Sequence, residues 1–321
     1  DWRDLEHNNP KQMIAFGPVP SRRLGKSMGI NNIPLRKVCS YSCIYCQLGA
    51  RQKSSTERET FYEPQTIRDS VESLLDRINP ADKPDCLTFV ASGEPTLDIN
   101  LGKSIRLLKG FNIPIAVITN ASLLSDPVVR ENLMDADWVS VKVDTVTGNV
   151  WRRINRPHPS LTLNLVMEGI KRFAADFKGT LVTETMMLEG FNDNPEAIQS
   201  TSDFILQLKP SKAYIAIPTR PPAVSSVKPA GSENINMAYQ IFSKKGLKPE
   251  LILGFEGTDT GYTGNAENDI LNISSVHPLR EDAMDELLRK DNADFSTVEK
   301  LICEGKLIQL EYEDKKYYIR Y

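Results

Sequence analysis

The chain has 321 residues, of which 40% are hydrophobic, enough to build one large domain or two smaller ones. Its 39 Lys and Arg residues and 42 Asp and Glu residues give a formal net charge of −3, so we expect no bulk attraction to nucleic acid or to anionic membranes. We also expect no membrane span and no export segment, because uncharged apolar runs are short and the start of the chain is polar. Its five cysteines are clustered rather than arranged as a disulfide framework, which favours a reducing, cytoplasmic location.

Apolar runs typical of strands alternate with helix-period segments along most of the chain. The runs predict strands over 27–33, 86–92, 113–120, 138–144, 180–188 and 213–218. Helical spacing of apolar residues predicts helices over 67–78, 101–108, 161–173, 195–208 and 232–245. This alternation predicts an α/β fold with a parallel sheet, as a partial (β/α)6 TIM-like barrel over residues 14–255. The loops after the strands should share one mouth, where ligands bind in such sheets.

The pattern changes after residue 254. Residues 256–271 are rich in Gly, Asn and Asp and predict a linker or long loop. Residues 272–321 then predict two helices and a hairpin that turns near Asp314, as a small winged-helix-like α+β appendage. From His277 onward there are eight basic and eleven acidic residues, which does not favour a nucleic-acid wing. A cap, a protein or peptide contact or a dimer surface is the preferred interpretation.

Four tyrosines occur in the predicted hairpin: Tyr312, Tyr317, Tyr318 and Tyr321. Tyrosine rings can stack on nucleic-acid bases. Alternating tyrosines in a hairpin are more often packing residues, and we prefer that interpretation.

Cys39, Cys43 and Cys46 stand in the spacing Cys-x3-Cys-x2-Cys. Thiolates this close together can bind a soft metal centre. A structural zinc site needs four ligands, and the chain has no second Cys pair and no histidine nearby. A [4Fe–4S] cluster also usually takes four thiolates, so three would leave one iron without a protein ligand.

An aromatic residue, Tyr45, comes directly before the third cysteine, and the segment Cys39-x3-Cys43-x-Tyr45-Cys46 resembles the signature of the radical S-adenosylmethionine (SAM) superfamily. The resemblance implies a [4Fe–4S] cluster on the three cysteines, with SAM chelating the fourth iron. Reductive cleavage of SAM would release a 5′-deoxyadenosyl radical that abstracts hydrogen from a substrate. An external electron donor of the flavodoxin or ferredoxin type is implied.

Two further stretches agree with this resemblance. "SGEPTL" resembles the GGE-type motif of the superfamily, with Ser in place of the first Gly, and implies that Gly93, Glu94 and Pro95 bind the amino group of SAM. "IAIPT" resembles the segment of the sixth strand that meets the adenine, which implies a contact from Ile217. Tyr45 would flank the same adenine.

Polar residues at three more strands complete the candidate cofactor site. Asn120 would contact SAM or substrate. Lys142 and Asp144 alternate with apolar neighbours and point to one face of the predicted fourth strand. Inside a barrel they would be costly unless paired or liganding, so they either touch SAM or form a structural ion pair. Glu184 is a candidate for binding the ribose or carboxylate of SAM.

The stretch "GPVPSRRLG" (17–25) resembles the start of a group of iron–sulfur proteins loosely related to the wyosine tRNA-base synthases. Archaeal wyosine synthases carry a second cysteine set for an auxiliary cluster. This chain has only Cys86 and Cys303 outside the first set, and two isolated cysteines do not ligate another cluster unaided. Wyosine chemistry is therefore not favoured.

Basic residues follow two of the predicted strands. Arg152, Arg153, Arg156 and Arg220 are candidates for binding an anionic substrate, because guanidinium groups match phosphate and carboxylate in bidentate geometry. The substrate remains open among a small anionic molecule, an RNA base and a peptide. The alternative from another class is a non-catalytic iron–sulfur or zinc protein that acts as a sensor or electron carrier.

Overall fold

The computed structural model describes residues 14–33, 37–49, 53–254 and 257–320. The polar start of the chain, the predicted domain boundary at 255–256 and Tyr321 lie outside these residues. Among the described residues, every helix is too short or too polar to cross a membrane.

The strands within these residues are β1 (Ala15–Ser21), β2 (Gly25–Ile30), β3 (Val38–Cys39), β4 (Lys53–Ser54), β5 (Cys86–Phe89), β6 (Ile115–Thr119), β7 (Trp138–Lys142), β8 (Thr180–Met186), β9 (Lys212–Ala216), β10 (Pro249–Ile252), β11 (Leu279–Arg280), β12 (Leu307–Tyr312) and β13 (Lys315–Arg320). The helices are α1 (Pro64–Leu75), α2 (Leu101–Leu108), α3 (Pro127–Leu133), α4 (Gly148–Ile154), α5 (Leu163–Asp176), α6 (Pro195–Leu208), α7 (Ser232–Lys244), α8 (Ala266–Ser274), α9 (Glu281–Lys290) and α10 (Ser296–Cys303).

Eight strands form one curled sheet in the order β1-β2-β5-β6-β7-β8-β9-β10. All neighbours from β2 to β10 are parallel, and β1 pairs antiparallel with β2. The helices that connect the strands bury one apolar stripe each, as α1 does with Ile67, Val71 and Leu74. The predicted α/β partial barrel is confirmed, and its six predicted strands correspond to β2, β5, β6, β7, β8 and β9.

Two strands of the sheet were not predicted. β1 contains Pro18 and Pro20, which argue against a strand, but β1 lies at the sheet edge and its register shifts between Phe16 and Val19. Proline is tolerated at edges and bulges, where no ladder hydrogen bond is lost. β10 is only four residues long and is too short to give a clear period.

The C-terminal segment has the element order α8-β11-α9-α10-β12-β13 and a small antiparallel sheet in the order β11-β13-β12. This arrangement is winged-helix-like, as predicted. Glu313 and Asp314 have φ values of 49° and 58° between the paired residues Tyr312 and Lys315, so the hairpin turns where expected.

Part of the predicted linker 256–271 is helical. α8 begins at Ala266, where the Asn265 side chain accepts a hydrogen bond from the amide of Asn268. Its buried residues, including Ile270, form a second apolar core with the rest of the C-terminal segment. This second core, which we call the closing core, also contains Phe16 and Val19 of β1.

Candidate functional site

The carboxyl ends of the parallel strands open into a cavity of about 310 Å³. Its walls come from the ends of β5 to β10, from the loop that carries the three cysteines (the cysteine loop, residues 38–49) and from the β1–β2 hairpin. Val276 and His277 of the C-terminal segment also line it. The sheet, the cysteine loop and the C-terminal segment therefore all contribute to the wall of the cavity.

Cys39, Cys43 and Cys46 all line this cavity. Hydrogen bonds to the turn after α4 hold the cysteine loop in place. The amide of Ile44 donates to the carbonyl of Ile154 at 2.9 Å, and the carbonyl of Ser40 accepts from the amide of His158 at 2.8 Å. The loop is thus fixed by backbone contacts although most of it is irregular.

Each of the three sulfur atoms faces a nitrogen donor. The amide nitrogen Nδ2 of Asn120 lies 3.6 Å from the Cys39 sulfur, and that of Asn155 lies 3.5 Å from the Cys43 sulfur. The third donor is the ammonium of Lys37, whose Nζ lies 3.0 Å from the Cys46 sulfur. Such donors stabilise anionic sulfur and tune iron–sulfur centres. Lys37 and Asn155 were not predicted from the sequence.

Burial raises the pKa of Cys39 to about 12 and the pKa of Cys43 to about 11. Both groups are therefore protonated thiols near neutral pH when no metal is bound, and metal binding would release their protons. Within the described part of the chain, no three His, Cys, Asp or Glu side chains converge on a single ion. A [4Fe–4S] cluster needs no such convergence, since each cysteine binds a different iron. Three thiols with nitrogen donors on one cavity wall fit that group.

Gly93 allows the loop after β5 to lie against the cysteine loop. A Cβ atom at this position would come within 1.7 Å of the Val38 carbonyl oxygen, and the Glu94 amide donates to the same oxygen at 3.1 Å. Only glycine permits this close backbone approach. The motif thereby fixes the residue that precedes Cys39.

The Glu94 carboxylate lines the cavity but is only 1% exposed. It accepts hydrogen bonds from the Thr119 hydroxyl at 2.6 Å, the Asn120 amide at 2.7 Å and the Thr96 hydroxyl at 2.7 Å. Burial raises the pKa of Glu94, and these hydrogen bonds partly oppose the rise. Pro95 is buried and does not line the cavity. The predicted contacts of Gly93, Glu94 and Pro95 with SAM remain predictions.

Asn120 lies at the end of β6 and on the cavity wall. Besides the Cys39 sulfur, its Nδ2 atom donates to the Ser40 hydroxyl at 2.9 Å, and its Oδ1 atom accepts from the Ser122 amide at 2.9 Å. Asn120 thus holds the cysteine loop, and its predicted contact with SAM or substrate stays a prediction.

Lys142 and Glu184 line the cavity as an ion pair, with Nζ and Oε1 2.7 Å apart. Arg23 of the β1–β2 hairpin pairs with the other oxygen of Glu184. The Lys142 ammonium lies 4.9 Å from the ring centre of Tyr45, and its burial lowers the pKa of Lys142. Lys142 thus pairs with Glu184, and the predicted contacts of Lys142 and Glu184 with SAM remain predictions.

Asp144 does not line this cavity, although the sequence placed it on the same face as Lys142. β7 ends at Lys142, so strand alternation no longer applies two residues later. The Asp144 carboxylate accepts from the Tyr45 hydroxyl, from Asn155 Nδ2 at 2.7 Å and from the Met186 amide at 2.9 Å. Asp144 thus holds together Tyr45, Asn155 and Met186 without lining the cavity itself.

The four candidate arginines are not brought together. Arg220 lines the cavity, whereas Arg152, Arg153 and Arg156 are exposed on α4 and the turn after it and do not line the cavity. The guanidinium carbon of Arg153 lies 4.7 Å from the ring centre of Phe191.

Arg220 connects two residues that sequence reasoning missed. Its Nη1 atom donates to Gln47 Oε1 at 3.1 Å, and its Nη2 atom lies 2.9 Å from His277 Nε2. Burial and the nearby Arg220 lower the pKa of His277 well below its usual range, so its neutral ring accepts this hydrogen bond. The sequence offered one signal for Gln47, which directly follows Cys46. It offered none for His277, which lies far away in the sequence. Ile217, in the same loop as Arg220, also lines the cavity.

Comparison with known proteins gives a consistent picture. The sequence model of the radical SAM superfamily matches residues 33–201. A UPF0026 protein of Methanocaldococcus jannaschii is 48% identical over 309 residues, which are 96% of this chain and 96% of that protein.

Two solved structures resemble the fold. A radical SAM methyltransferase from Sphaerobacter thermophilus has a TM-score of 0.52 and 14% identity, over 71% of this chain and 66% of that one. SuiB from Streptococcus suis, in a crystal structure with S-adenosylmethionine bound, has a TM-score of 0.52 and 12% identity, over 70% of this chain and 51% of that one. At these identities the likeness shows the fold alone.

Proposed function

The chain belongs to the radical SAM superfamily, and we propose that it is an enzyme that holds a [4Fe–4S] cluster on Cys39, Cys43 and Cys46 and cleaves SAM reductively. The observation that carries this proposal is the common position of the three thiols on the wall of one cavity, each facing a nitrogen donor. When bound, the cluster would supply one electron to SAM, and the resulting 5′-deoxyadenosyl radical would abstract hydrogen from a substrate. An external flavodoxin or ferredoxin would provide the electron.

The cofactor roles proposed for the surrounding residues are those that the family resemblance implies, and their places on the cavity wall support them. Tyr45 and Ile217 would flank the adenine of SAM, and both line the cavity. Asn120 lies beside Cys39 and donates its backbone amide to Glu94, which would bind the amino group of SAM, and Glu184 would bind the ribose or carboxylate of SAM. The enclosing strands would shield a radical from water, which limits side reactions.

We also propose an anionic substrate. Among the described residues that line the cavity, Arg23, Lys142 and Arg220 are cationic, against the two carboxylates Glu94 and Glu184. The guanidinium groups on this wall match phosphate and carboxylate in bidentate geometry. Arg152, Arg153 and Arg156 remain candidates outside the cavity. Phosphate- and carboxylate-bearing metabolites should raise the melting temperature more than matched neutral analogues, and equal responses would refute this part.

Anaerobic reconstitution tests the proposed chemistry. The reconstituted protein should contain about four iron and four sulfide ions per chain, and after reduction it should convert SAM to 5′-deoxyadenosine. Cys43→Ala should lose both cluster and cleavage, whereas Cys303→Ala, which removes an exposed cysteine outside the cavity, should retain both. Zinc in place of iron, or a cluster that never cleaves SAM, would favour the non-catalytic alternative.

A further inference from the structure

The loop after β9, residues 217–220, is held by side chains of the C-terminal segment. The Tyr312 hydroxyl donates to the Pro218 carbonyl at 3.1 Å, and the Tyr317 hydroxyl donates to the Thr219 carbonyl at 3.0 Å. The two rings contact each other edge to face, with their centres 6.4 Å apart. Because the β12–β13 register places Tyr312 and Tyr317 diagonally on one face of the hairpin, both reach the same loop.

Arg220, the next residue of this loop, is also joined to the C-terminal segment. Arg220 bonds to His277, and Gln47 donates from Nε2 to the Val276 carbonyl at 2.9 Å while accepting from Arg220. Three consecutive loop residues are therefore joined to the C-terminal segment or to the residue after Cys46. These contacts form a closed circuit, because Arg220 bonds to both Gln47 and His277, and Gln47 bonds to the residue next to His277. The cavity is lined by all four residues of the circuit: Gln47, Arg220, Val276 and His277.

We infer that the C-terminal segment is a clamp: it fixes the loop 217–220 and thereby sets the affinity of the cavity for an adenosyl cofactor. The inference rests on the proposed function, because Ile217 is the residue proposed to meet the adenine. A loop held in place before the ligand arrives does not have to be ordered during binding, and the ligand then binds more tightly. The C-terminal segment would thus act on the cavity of its own chain.

The double variant Tyr312→Phe/Tyr317→Phe tests this inference, since it removes two hydroxyl groups and keeps both rings. Tyr318→Phe is the matched control from the same hairpin. Tyr318 is fully buried in the closing core, its hydroxyl has no hydrogen-bond partner among the described residues, and it does not line the cavity. Melting curves of each variant and of the two single Phe variants verify folding. The single variants replace the double one if it does not fold.

Two measurements are made on each protein. Hydrogen exchange of a peptide spanning 213–224 should be at least about fivefold faster in the double variant than in the wild type, as expected when a hydrogen bond of ordinary strength is lost. Equilibrium binding of SAM to the reconstituted protein should weaken about five- to thirtyfold. Tyr318→Phe should match the wild type in both.

The outcomes separate the clamp from the proposed function. Unchanged exchange in the double variant would overturn the clamp. Faster exchange together with wild-type SAM affinity would overturn its role in cofactor binding. If the wild-type protein does not bind SAM, the proposed function and the cofactor role both fail, and the exchange measurement alone decides whether the clamp exists.

Discussion

The Tyr45 hydroxyl donates a hydrogen bond to Oδ2 of Asp144, which connects the cysteine loop to the second residue after β7. Tyr45 directly precedes Cys46, so this hydrogen bond to a residue outside the cavity helps to fix the position of Cys46. Replacing Tyr45 with Phe keeps the ring but removes the donor, and we expect the free energy of unfolding to fall by about 1–3 kcal/mol. Urea unfolding measures this. Tyr239→Phe, at a residue that is 40% exposed, is the control, and an equal loss in both variants would contradict the expectation.

The Gly93 position should not accept a side chain. Since a Cβ atom would meet the Val38 carbonyl at 1.7 Å, Gly93→Ala must displace the strand that carries Cys39. We expect a loss of more than about 3 kcal/mol in unfolding free energy and a lower iron content after reconstitution. Gly148→Ala, where a Cβ has no neighbour within 4 Å, should lose neither. A normal iron content in Gly93→Ala would show that the close approach is not needed.

The ammonium of Lys37 should tune the proposed cluster. A positive donor beside the Cys46 sulfur stabilises the reduced, more negative state, so Lys37→Met should lower the reduction potential, by roughly tens of millivolts. A redox titration followed by electron paramagnetic resonance measures the potential without SAM. Lys103→Met, at an exposed residue of α2, serves as the control for loss of charge. A potential that is unchanged, or changed equally in both variants, would argue against this role.

Asp269 should make the C-terminal segment less stable as the pH rises. Its carboxylate accepts from the Thr263 amide at 2.6 Å, while burial, reinforced by Asp291, raises the pKa of Asp269 to about 7. An unfolded Asp titrates near about 4. Between these values the folded state binds more protons than the unfolded state, so stability is lost with rising pH, by up to about 1.4 kcal/mol per unit.

Substitution of Asp269 by Asn should flatten this slope. Unfolding free energies of the wild type and Asp269→Asn, measured from about pH 4 to pH 8, test the assignment. Asp176→Asn, at an exposed position of α5, should keep the wild-type slope. A decline in Asp269→Asn that is as steep as in the wild type, or steeper, would refute it.

The sequence predicted the parallel strands because central strands are buried on both faces and read as continuous apolar runs, as in β6. It missed β1 because Pro18 and Pro20 are compatible with a strand only at an edge or bulge, and the edge position depends on the whole sheet. The helix α8 was interpreted as linker because its start is rich in Asn and Asp, which are also helix-capping and first-turn residues.

The cysteine cluster could be found locally, because its three members lie within eight positions of the chain. The residues that surround it could not. Asn155 reaches Cys43 across 112 positions and His277 reaches Arg220 across 57, and no local period encodes such contacts. For Asp144 a local pattern was applied too far. The alternation of strand residues was extended to Asp144, two residues past the end of β7.

The closing core joins the first strand of the sheet to the C-terminal segment. Phe16 and Val19 of the β1–β2 hairpin belong to the same apolar cluster as Ile270, Met284 and Tyr318, so this wall of the cavity shares its packing with the C-terminal segment. Contacts between such distant parts of a chain form slowly, because a very long loop must close first. Because the closing core includes residues up to Tyr318, this part of the cavity wall reaches its full packing only after the C-terminal segment has been synthesised.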